Sequence, residues 1–226
     1  ESVGGGANLA ITCLYRTMLN YVKENRRLPD ELHIQLDNTT SENKTLVMFL
    51  FAGWLVESKW FARVRIFFLP KGHTHVIIDQ AFGAITKYIR SNFILHVHGL
   101  MHAIRTVCVK SSKYKLKECS QVHHLFDWWA FFEGRYNKLG GFATGAWAGD
   151  GYHDLIITAN FEGHSVLNFR KYASTDGFVE QAGEGFRLYK DCGAPPKDAK
   201  PPIAPLKGDD AWSRNKVSET IKSFEY

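Results

Sequence analysis

The run LVMFLFAGWLV at residues 46–56 is apolar on every side. It falls well short of the roughly 20 residues that span a bilayer, so it reads as a helix buried on more than one face. The segments on either side of it, LHIQL at 32–36 and FARVRIFFL at 61–69, have the short apolar character of strands. The connections are too long for hairpins. A helix between two such strands implies a parallel pair joined by a crossover, and hence an α/β fold.

Other segments extend this order. Leu9, Cys13, Leu14, Met18, Tyr21 and Val22 recur at helical spacing after Asn8, whose side chain suits a cap, and Pro29 marks the stop. IIDQAFGAITKYIRSN, from residue 77, reads as a further helix. DLIITANFEGHSVLNFRKY, at 154–172, reads as two strands turning at Glu162-Gly163. From residue 191 the chain becomes rich in Pro and Lys, which predicts an extended tail. The expected division is an α/β core over 1–95, a helical and hairpin extension over 96–190, and the tail over 191–226. Cys13, Cys108, Cys119 and Cys192 form no C-x-x-C pair and read as reduced thiols. A balance of 28 basic to 23 acidic residues permits an anionic partner without demanding one.

Sites in parallel sheets form at the carboxyl ends of strands. Asp37 directly follows the first strand, His73 and His75 follow the second within GHTH, and Asp79 lies about one turn into the next helix. Two carboxylates so placed suit Mg²⁺, which takes oxygen ligands and leaves room for phosphates. The same placement suits a helix cap at Asp37 and a solvated first-turn acid at Asp79. His98 and His102, four apart, would share a helix face. Lys110, Lys113 and Lys115 form a basic run around Tyr114, suited to phosphates or to solvent. FDWWAFF at 126–132 reads as core packing or a docking surface.

LHIQLDNTTSENK, FLPKGHTHVIIDQAF and VHHLFDWWAFFEGRYNKLGGFAT together resemble a transposon-derived family with motifs of the form L-x-L-D-N-x-x-x-E-N-K and G-H-T-H-x-D-x-D-Q. Its members are regarded as RNase H-like, DDE-type endonuclease relatives. The resemblance runs over about 4–172. It implies a partial RNase H-like core with a C-terminal α+β extension and a Pro-rich tail. It also implies that Asp37 and Asp79 are catalytic, metal-binding acids, with Asn38, Asn43, Lys44, His73, His75, Lys110, Lys113 and Lys115 as nucleic-acid contacts. The chain departs from the pattern in two places. Val76 and Ile77 stand where the family has acids, and the strand expected to carry the first catalytic acid lies upstream of Glu1.

Two classes of function follow. One is a domesticated, inactive transposase-derived module, requiring no cofactor, that serves as a structural or binding subunit of a larger assembly such as a ribonucleoprotein. The other is an active Mg²⁺-dependent endonuclease or transposase. The departures favour the first. Either reading expects protein partners, allows nucleic acid, excludes a membrane span, and places the chain inside the cell, in the nucleus or an organelle.

Overall fold

The computed structural model describes residues 6–37, 43–69, 77–110, 125–137, 152–170 and 185–204. In chain order these form α1 (Ala7–Asn25), β1 (Glu31–Leu36), α2 (Leu46–Glu57), β2 (Arg63–Phe68), α3 (Ile77–Ser91), α4 (Val97–Lys110), α5 (Trp128–Phe132), β3 (Asp154–Ala159), β4 (Ser165–Arg170) and β5 (Phe186–Arg187). The strands make one mixed, open sheet in the order β1-β2-β3-β4-β5. β1 and β2 are parallel, joined through α2, and every other pair is antiparallel. The β3–β4 hairpin, which the resemblance assigns to an extension, pairs directly with β2 and continues the sheet.

α2 is the centre of the core, as its apolar surface requires. Every residue from 47 to 56 is buried, and the helix packs on β2, β3 and β4. One face of the sheet meets it with Val64, Ile66, Leu155, Ile157, Leu167 and Phe169. Gly53 lets the neighbouring chain come close. A Cβ there would lie 2.7 Å from Leu188 Cδ1 and 2.9 Å from Ser165 Oγ.

α1 and α5 cover the other side of α2. Asn8 does not cap α1, whose N-cap is Gly6. Buried instead in the first turn, Asn8 accepts from the Trp128 backbone N–H at 3.1 Å, and Thr12 Oγ1 accepts from the Trp128 indole N–H at 3.1 Å. Both polar atoms are needed there because Trp128 is buried among Tyr15, Phe51 and Trp54. Phe126, Trp128, Phe131 and Phe132 of the aromatic run therefore belong to the core, Trp129 is exposed, and Asp127 caps the short helix through the Ala130 N–H.

Over its described part, 191–204, the Pro- and Lys-rich segment contains no helix or named strand, yet it is docked on the body. Pro195 is buried and its carbonyl accepts from the Trp54 indole at 3.0 Å. The Glu57 carboxylate ties the segment to the hairpin, accepting from Ser165 N at 2.7 Å, Ser165 Oγ at 2.8 Å and Ala194 N at 2.7 Å. α3 and α4 pack on each other and on no other described helix or strand, leaving Phe82, Phe93, Leu95 and Val109 exposed.

Candidate functional site at the strand ends and the open sheet face

The carboxyl ends of β1 and β2 lie side by side, fixed by Leu69 N–H donating to Leu36 O at 3.0 Å. Asp37 leaves this end exposed, and its carboxylate accepts a short hydrogen bond from the Asn43 side-chain amide. Lys44, next in the chain, is only 6% exposed, with its ammonium 5.2 Å from the Phe68 ring centroid. Burial pulls its pKa down from 10.5 to about 8, because the charged form loses water. His153 closes the corner from β3. Its backbone carbonyl accepts from Phe68 N–H at 2.7 Å, and its buried ring nitrogen Nδ1 donates to Phe68 O at 2.9 Å.

The structure thus brings Asp37 and Asn43 into contact, while Lys44 turns its ammonium to the Phe68 ring. Asp79 is exposed in the first turn of α3, and Lys110 is exposed at the end of α4. His98 and His102 are both exposed on α4, His102 within 3.3 Å of Thr106 Oγ1. Asn38, His73, His75, Lys113 and Lys115 lie outside the described residues. Among the described residues, no three His, Cys, Asp or Glu side chains converge as metal ligands.

The face of the sheet turned away from α2 carries a second constellation. Strand alternation puts Glu31, His33 and Gln35 of β1 beside Arg63, Arg65 and Phe67 of β2, then Asp154 of β3 and Arg170 of β4. The Asp154 side chain is 1% exposed. It accepts from Arg65 through Nε at 2.9 Å and Nη2 at 2.7 Å, and from Arg170 Nε. Hydrogen bonds to this carboxylate raise the Arg65 pKa further, so its charge is permanent. The Arg65 guanidinium also lies 4.4 Å from the Phe67 ring centroid, and the His33 ring meets that ring edge-on at 6.1 Å. Nearer the edge, Glu31 pairs with Arg63 at 3.6 Å and His33 at 3.2 Å, all well exposed. The three arginines outnumber the two carboxylates, and no described helix covers them.

Sequence reasoning passed over this face. The signal was present in ARVRIFF, where Arg63 and Arg65 fall two apart between apolar residues and must share one side of a strand. Nothing local announces Asp154, which gains its meaning only when β3 pairs with β2.

Residues 2–174 match DUF7869, a domain of unknown function. The chain belongs to the DUF7869 family. No curated protein and no solved structure matches it. The DUF7869 region takes in α1 through β4 and stops before the docked 185–204 segment. Among the described residues, no helix is long and apolar enough to cross a membrane.

Proposed function

We propose that this DUF7869 chain is a domesticated, catalytically inactive transposase-derived module of RNase H-like ancestry that binds nucleic acid as a subunit of a larger assembly. The observation that carries this reading is the sheet face bearing Arg63, Arg65, Phe67 and His33. Arginine and aromatic side chains side by side on a sheet are what a single strand of nucleic acid requires: cations for phosphate and flat surfaces for bases. Asp154 holds Arg65 in place, so little side-chain entropy is lost on binding. The Arg63–Glu31 pair is exposed and weak, and a phosphate can replace the carboxylate.

At the strand ends, Asp37 already accepts from Asn43, an arrangement suited to a loop cap. The alternative, an active Mg²⁺-dependent DDE-type endonuclease, draws its support from Asp37 standing at the carboxyl end of a parallel strand. The expected partners are other protein subunits and nucleic acid, in the nucleus or an organelle.

Fluorescence anisotropy with a labelled single-stranded oligonucleotide tests the binding reading. Saturable binding should weaken with salt and fall about tenfold in Arg63→Gln/Phe67→Ala, as loss of one stacked base and one phosphate contact implies. Equal affinity of that variant and the native chain would refute the assignment to this face.

A further inference from the structure

At the opposite end of the sheet from Asp37 lies a cavity of about 820 Å³, within the usual size range of small-molecule sites. It opens between the carboxyl ends of α1 and α2, below the turns that lead into β1 and β2. Leu28, Trp60 and Phe61 give it an apolar wall. Arg27, Lys59 and Lys197 line it as well, against the single acid Asp30. None of these three cations is ion-paired with a described residue.

Two of the cations have a local explanation. Arg27 and Lys59 follow the carboxyl ends of α1 and α2, where positive charge offsets the helix dipole. Lys197 has none. It comes from the docked segment beyond the DUF7869 match and places its ammonium 5.6 Å from the Trp60 ring centroid. The two turns that shape the mouth both follow helices. Arg26 at φ 68° and Lys59 at φ 57° are the only described non-glycine residues with positive φ. Each closes a helix, Arg26 after α1 and Lys59 after α2, where the left-handed conformation is the common C-terminal turn.

We infer that this cavity binds an amphipathic anion: a compact apolar body against Leu28, Trp60 and Phe61, and a carboxylate or phosphate head among Arg27, Lys59 and Lys197. Apolar burial supplies the affinity, and the unpaired cations select for charge. The inference is independent of the nucleic-acid face, which shares none of these residues.

The test is isothermal titration calorimetry of the full chain with 2-naphthyl phosphate, 2-naphthoate and the neutral 2-naphthalenemethanol. At least one anion should bind one-to-one and about tenfold or more tighter than the alcohol, and the tighter anion identifies the head group. Lys59→Gln/Lys197→Gln alters two exposed side chains. It should weaken that anion by about tenfold while leaving the alcohol unchanged. Lys87→Gln, on α3 and exposed, controls for net charge and should have no effect. The inference is overturned if the three ligands bind alike or not at all, if the double variant keeps native anion affinity, or if Lys87→Gln weakens the anion equally.

Discussion

Replacing Asp154 with Ala should destabilise this chain far more than any surface charge change. In the native sheet one buried carboxylate, 1% exposed, neutralises parts of two guanidiniums at once. Removing it takes from Arg65 and Arg170 the carboxylate they share. Breaking a buried ion pair from one side costs about 3–5 kcal/mol. Arg65 and Arg170 retain 24% and 13% side-chain exposure, so water reaches them in part and the lower end applies. With a urea slope of about 2.5 kcal/mol per molar, a loss of about 3 kcal/mol moves the unfolding midpoint down by about 1.2 M. Urea titration followed by tryptophan fluorescence reads this directly. The variant Arg65→Met/Asp154→Leu/Arg170→Met, which removes all three charges together, should recover most of the loss, because the cost lies in uncompensated charge. A midpoint for Asp154→Ala within about 0.2 M of the native chain would refute the reasoning.

Gly53→Ala should also destabilise, against the trend for helices. Alanine gains about 1 kcal/mol of helix propensity over glycine. Its Cβ, however, would meet Leu188, Ser165 and Tyr189 at 2.7, 2.9 and 3.2 Å. Ser165 is held by Glu57 and Tyr189 by the Leu50 carbonyl, so an overpacking cost of about 2 kcal/mol leaves a net loss of about 1 kcal/mol, visible as a lower Tm. For Lys44 the folded-state pKa, about 8, lies below the ordinary 10.5, so the unfolded chain binds the proton more tightly. Lys44 thus contributes stability that rises as pH goes from about 8 to 10.5 and is flat below that window. The difference in urea midpoint between the native chain and Lys44→Met should change across that window and stay constant below pH 7; a constant difference throughout would contradict it.

The two halves of the molecule were unequally legible in sequence. The run at 46–56 announced its burial through composition alone, and the strands around it could then only be parallel. The 154–170 hairpin was visible from its alternation and its Gly163 turn, which sits at φ 86°. Its place beside β2 was not, because strand order is set by pairing between distant segments. Asn8 looked like a cap because Asn suits that position, but Trp128, distant in sequence, claims it. The Pro-rich segment looked free for a similar reason. Its anchors are the Trp54 indole and the Glu57 carboxylate, both on α2. Asp37 at a strand end and Asp79 in the first turn of α3 stood out as chemistry-bearing. The arginine face did not, since each arginine alone is an ordinary surface residue.

Binding without cleavage is read directly from one gel assay. The purified chain is incubated with labelled single- and double-stranded DNA and RNA in Mg²⁺ or Mn²⁺, with Asp37→Asn alongside. Intact substrate is expected in every lane, with the native chain and Asp37→Asn indistinguishable, because among the described residues no three acids converge as a two-metal reaction needs. Divalent-dependent cleavage that disappears in Asp37→Asn would contradict it and establish an active endonuclease.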